Sequence, residues 1–130
     1  MKKLYNYWLP DNENHFSKFI QRNADAGQPA EYQEPVRSKA LSYVDKKIIS
    51  VDIGANFGLW SHSLERAFME NFAIEPIDLH CKFLKLNAPC TTVIQTALGS
   101  ENGTIRMKRN TENYGKTRVD DSGETTVPIQ

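Results

Sequence analysis

Neither sign of charge dominates this chain. In 130 residues, 16 lysines and arginines are matched by 16 aspartates and glutamates, so the formal net charge is zero. Affinity for polyanions comes largely from excess positive charge, and the balance argues against a nucleic-acid partner. Long apolar runs are missing as well. None approaches the roughly 20 residues that a membrane span needs. The opening MKKLYNYWLPDNEN is interrupted by Pro10 and Asp11 before it could serve as a secretory segment. The expectation is a cytoplasmic protein with no membrane partner, from a microbe or a virus-infected cell. Cysteine is scarce: Cys81 and Cys90 cannot form a disulfide framework, and both read as reduced, structural thiols. His15, His62 and His80 lie far apart and show no metal-ligand spacing, so no metal site is expected. What is present, 39% hydrophobic and 25% charged residues, fits one globular domain with a single core.

The chain divides by rhythm at residue 48. Residues 1–47 read as a helical extension. Phe16, Phe19 and Ile20 sit at helical spacing and should end their helix before Gly27-Gln28-Pro29. A second helix is predicted from Pro35 to about Val44, with Val36, Ala40 and Leu41 as its apolar stripe. Tyr5, Tyr7 and Trp8 read as an edge strand or tail packed on the core. From residue 48 to 130 the order becomes strand (48–53), helix (59–69), strand (71–75), helix (78–87) and strand (91–97). Leu79, Phe83, Leu84 and Leu86 form the apolar face of the second of these helices. Such alternation with short connections predicts βαβ units around a parallel sheet. A half-exposed strand at 103–108, a polar loop or loose hairpin at 109–123 and an extended segment at 125–130 follow.

Two features in this region bear on chemistry. The loop Gly54-Ala55-Asn56-Phe57-Gly58 joins a strand to a helix through small residues, which is how many folds bring backbone close to a nucleotide-like ligand. It has neither the third glycine of a dinucleotide fingerprint nor the lysine of a P-loop. Gly54 serving only a tight turn, and Gly58 only close packing, are equally open readings of the loop alone. The second feature is Glu75, at the tip of the next strand and roughly 20 residues beyond the start of the loop, where an acid can accept hydrogen bonds from ribose hydroxyls.

With both features in hand, VDIGANFGLWSHSL, FAIEP, TALGSENGTI and NYGKTRV, in that order, resemble the FkbM family of S-adenosylmethionine-dependent methyltransferases. The front end, Trp8-Leu9-Pro10-Asp11 with His15 and Phe16, is similar to some members, including virus-encoded ones. The resemblance implies a Rossmann-like class I methyltransferase fold, a three-layer α/β/α arrangement. It places Gly54, Ala55, Asn56 and Gly58 against the methionine part of the cofactor. Asp52 would order the loop or receive the amino group, Glu75 would hold the ribose, and Ala97-Leu98 would line the adenine. The implied reaction is O-methylation of a sugar or small-molecule hydroxyl. Asn113, Tyr114 and Gly115 match a family loop that could face the substrate, or form a turn that needs glycine.

Family members continue beyond the V-P-I-Q strand into further core strands, so the fold is expected to be incomplete here and the catalytic residues stay unassigned. Three rival readings follow: a cofactor-binding module without catalysis, joined to a partner chain or forming a homo-oligomer; another nucleotide-binding Rossmann-like domain, such as one for a nicotinamide cofactor; and a purely structural α/β domain. His62, on the first turn of its helix, reads as an exposed helix residue, and Arg106, Lys108 and Arg109 as a solvated strand face.

Overall fold

A three-stranded parallel sheet is the frame on which the rest is hung. In a computed structural model that describes residues 1–130, β3 (Ile49–Ile53), β4 (Glu70–Ile74) and β5 (Thr92–Ile94) pair side by side in the order β3-β4-β5. The helices α3 (Ser61–Ala67) and α4 (Asp78–Asn87) form the crossovers. Strand β5 is shorter than the predicted 91–97, because the chain turns away at Thr96 and Ala97 to pair with β8 instead.

Period-two alternation decides which face each helix covers. Register aligns Ser50 with Asn71 and Asp52 with Ala73, and Ala73 with Val93. This is the covered face. Ala73 packs with Ala55 and with Leu84 of α4, and Asp52 meets Ser61 of α3. Ser50 hydroxyl donates to Asn71 Oδ1, whose amide donates to Thr91 Oγ1, so polar groups on this face are paired. The opposite face holds Ile49, Val51, Ile53, Phe72, Ile74 and Ile94. Ile49, Val51 and Ile53 are exposed at 56%, 52% and 66%. The expected three-layer arrangement is therefore corrected: across the parallel sheet there are two layers, because both crossover helices lie on one face. The outer edge of β3 is unpaired. The strand expected at 48–53 is half bare for the same reason.

A second sheet, antiparallel in the order β7-β6-β8, is built from β6 (Gly103–Lys108), β7 (Arg118–Val119) and β8 (Thr125–Ile129). It joins the first through Ala97, which bridges Ile129. Ile77, Met107 and Val127 form the small core between them.

The N-terminal extension is helical only in part. It opens with an antiparallel hairpin, β1 (Lys2–Leu4) and β2 (Tyr7–Leu9), before α1 (His15–Asp25) and α2 (Glu34–Leu41). Tyr7, Leu9, Phe16 and Ile20 share the largest core cluster with Phe57, Leu59, Phe83 and Tyr114. Asn87 seals that junction: its Nδ2 donates to the Trp8 and Phe57 carbonyls at 3.0 and 2.7 Å, and its Oδ1 accepts the Trp8 N–H at 2.6 Å. The stripe predicted for α2 is corrected. Val36 is 61% exposed and Ala40 is exposed, whereas Arg37 is buried at 3%. Its guanidinium donates to the Tyr32 carbonyl at 2.8 Å and pairs with Glu31, which also meets Arg66 of α3 at 3.2 Å. On α4, Leu86 is 49% exposed, and His80, Cys81 and Asn87 take buried positions beside Phe83 and Leu84. Both cysteines are free, but only Cys81 is buried; Cys90 is exposed.

Candidate functional site

The carboxyl ends of β3, β4 and β5 lie side by side, and the loops that leave them converge. The first is the glycine loop. Gly54 and Ala55 N–H groups both donate to the Ile74 carbonyl, at 2.8 and 3.2 Å, which ties the loop across the top of β4. Gly54 has φ +74°, and a Cβ built there would meet nothing within 4 Å. Its Cα faces open space. Gly58 also has a left-handed φ, +78°, but a Cβ there would come within 2.4 Å of Leu84 Cδ1 and 3.2 Å of the Leu84 Cα. Gly58 is buried and lines neither cavity described below. The two glycines thus divide the two readings of the loop: Gly54 borders a space a ligand can enter, and Gly58 lets the loop pack on α4.

Asn56 sits between them at φ +51°. Its N–H donates to Glu75 Oε2 at 2.8 Å. Its Oδ1 accepts the Phe57 N–H at 2.8 Å, a local bond that suits asparagine to a left-handed position. Its Nδ2 donates to the Tyr114 carbonyl at 3.1 Å. Glu75 is 4% exposed. Its other oxygen accepts the Ile77 N–H at 2.9 Å and lies 3.1 Å from His80 Nδ1. A carboxylate offers about four acceptor positions. Three are engaged within the protein, so Glu75 has room for one further hydrogen bond unless the Asn56 N–H is released. Asp52 accepts the Ser61 hydroxyl at 2.6 Å. Burial pushes its carboxyl above the ordinary value of 3.8; the Ser61 bonds oppose that shift and the nearby Glu75 charge adds to it.

Two cavities flank the loop. The first, about 260 Å³, is bordered by Gly54, Asn56, Glu75, Thr96, Ala97 and Leu98. The second, about 310 Å³, is bordered by Asp52, Ala55, Trp60 and the N-terminal residues Phe16, Tyr32 and Gln33. Ile53, Gly54, Asn56 and Gly115 belong to both. Of the residues singled out in the sequence, Asp52, Gly54, Ala55, Asn56, Glu75, Ala97 and Leu98 come together here, and Gly58 supports them from behind. Asn113-Tyr114-Gly115 joins them as a 3-10 turn, Tyr114–Lys116. No lysine or arginine lines either cavity.

Four participants had little local signal. Phe16, Tyr32 and Gln33 reach the site only through the tertiary docking of the N-terminal extension. His80 lies five positions beyond Glu75, in the first turn of α4, with its ring against the carboxylate. It is 1% exposed, and its Nε2 has no partner. His62 is half-buried, not exposed as expected: its Nδ1 lies 2.7 Å from the Asn87 carbonyl, away from both cavities. No group of three or more histidine, cysteine, aspartate or glutamate side chains is arranged to hold a metal ion. No family model matches the chain, and no curated protein matches it.

Proposed function

We propose that this site binds S-adenosylmethionine and that the protein is a methyltransferase of the FkbM type, acting on a hydroxyl of a sugar or small molecule. The observation that carries the reading is the charge of the site around a glycine loop with open space in front of it. Asp52 and Glu75 border the cavities and no lysine or arginine does. A pyrophosphate or triphosphate calls for basic side chains. A ligand with a sulfonium and an ammonium group, outweighing its one carboxylate, is attracted by this arrangement. The open position in front of Gly54, which any Cβ would begin to fill, is the second point of fit.

When bound, the cofactor supplies an electrophilic methyl group. Gly54, Ala55 and Asn56 would take its methionine part, with Asp52 ordering the loop or receiving the ammonium. Glu75 would accept one ribose hydroxyl while its other bonds hold Asn56 and the start of α4. Ala97 and Leu98 would line the adenine. Much of the catalysis in such a transfer is alignment of donor and acceptor, which the loops leaving these strand ends would supply. The bare face and unpaired edge of β3 favour a second reading, in which a further chain completes the domain and the chain alone binds cofactor without turnover.

A thermal-shift comparison tests the proposal. S-adenosylmethionine and S-adenosylhomocysteine at 100 times their Kd should each stabilise the fold by about 2.7 kcal/mol, and NAD at the same concentration should not. Equal stabilisation by NAD, or none by any of the three, refutes it.

A further inference from the structure

The first cavity contains two polar atoms that nothing in the protein engages. His80 Nε2 and Thr117 Oγ1 are buried without a hydrogen-bond partner, and both residues border this cavity and not the second. Buried polar atoms are nearly always paired, so an orphan on a cavity wall calls for a partner. The other hydrogen-bonding side chains of the wall are already committed. Asn56 uses both ends of its amide. The Thr96 hydroxyl donates to the Ala97 and Pro128 carbonyls at 3.1 and 3.2 Å, and the Tyr114 hydroxyl donates to Asn12 Oδ1 at 3.1 Å. Glu75 keeps one acceptor position.

His80 has no freedom to turn toward a partner elsewhere. It is 1% exposed, and the Phe57 and Tyr114 rings stand nearly perpendicular to it, at centroid distances of 4.9 and 5.9 Å. Its Nδ1 lies 3.1 Å from Glu75 Oε1. In an uncharged imidazole one nitrogen carries the hydrogen and the other accepts. A carboxylate beside Nδ1 places the hydrogen there and leaves Nε2 as the acceptor. The two nitrogens face different directions on the ring, and the open space that His80 borders is the first cavity, so a partner for Nε2 arrives from that cavity.

We infer that the His80–Thr117 end of the first cavity is a recognition point for a hydrogen-bond donor of the ligand, an N–H or O–H group, and that His80 is also a positioning residue, holding Glu75 through its other nitrogen. With Glu75 alongside and no lysine or arginine in the wall, an anionic group is repelled there. Use of S-adenosylhomocysteine as the probe rests on the methyltransferase reading; the hydrogen position on His80 does not.

Nuclear magnetic resonance of isotope-labelled histidine rings in the full chain, at neutral pH, with and without S-adenosylhomocysteine, tests both parts. In the free chain His80 should carry hydrogen on Nδ1 alone; hydrogen on Nε2 overturns the assignment whatever the ligand. At saturation the Nε2 signal should move while the Nδ1 signal keeps its place, a response that a merely structural histidine would not give. Thr117→Val removes a hydroxyl that makes no bond within the protein. Its melting temperature should be unchanged and its affinity about fivefold lower, the loss of one hydrogen bond. His80→Asn, whose amide nitrogen can stand where Nδ1 stood, should bind less tightly than the native chain and more tightly than His80→Leu; equal binding by the two variants removes the positioning role. Binding with the Nε2 signal unmoved, or with Thr117→Val at native affinity, overturns the recognition point and leaves the cofactor proposal standing. No binding by the folded chain overturns the cofactor proposal and the recognition point together.

Discussion

Gly54 and Gly58 share a left-handed backbone and differ in what lies beyond the Cα. An alanine at Gly54 meets no atom within 4 Å, so the cost of Gly54→Ala is the conformational strain alone, about 1 kcal/mol. Gly58→Ala adds a collision with Leu84, for a loss of about 3 kcal/mol. Denaturant melts should separate the two, and ligand binding should respond in the opposite order, with Gly54→Ala impairing it more. Asp52 offers a second test. Its carboxyl is raised by burial, so the folded state holds the proton more tightly than the unfolded chain does. Its contribution to stability therefore falls as pH rises from 3.8 through the raised value, and the charged form costs stability at neutral pH. Asp52→Asn, which keeps an acceptor for Ser61, should raise the melting temperature at pH 7, and the gain should shrink as pH is lowered toward 3.8. A gain that grows on acidification would contradict the assignment.

Among the elements, α2 is held to the molecule by charge. Arg37 is 3% exposed and bound to Glu31 and the Tyr32 carbonyl. Arg37→Ala leaves Glu31 without its principal partner and should cost about 3 kcal/mol, measured by urea unfolding. Spacing of apolar residues pointed to Val36, Ala40 and Leu41 for this helix, because periodicity scores side chains and not ion pairs. The same limit explains Leu86, which is apolar but sits on the solvent side of α4, while His80 and Asn87 are buried by the hydrogen bonds they make. Elements whose signals are local were legible: α4 spans 78–87 as the spacing of its apolar residues suggests, and the alternation of strands and helices from residue 48 to β5 is as read. That the glycine loop and Glu75 lie together was legible because both follow strand ends, and parallel strands bring their carboxyl ends together; Ala97 and Leu98 were drawn in only by the family resemblance. Tyr32 and Gln33 were not, since nothing local states where the extension docks.

At the scale of the whole molecule, the parallel sheet is covered on one face and bare on the other. An exposed apolar face with an unpaired strand edge is a site for association. Ile49→Thr with Val51→Thr, both on that face and outside the cavities, should lower binding of a hydrophobic dye and slow concentration-dependent association. Surface changes of this kind shift stability by within about 0.5 kcal/mol; a large loss of stability would mean that the face is packed in solution. The central claim concerns the other end of the sheet, and calorimetric titration with S-adenosylmethionine tests it most directly. Leu98 lines the first cavity yet is 49% exposed, so Leu98→Arg can alter the site without opening the core. The account predicts saturable one-to-one binding by the native chain, at least tenfold weaker in Leu98→Arg at an unchanged melting temperature. No binding by the folded native chain, or equal binding by the variant, would contradict it.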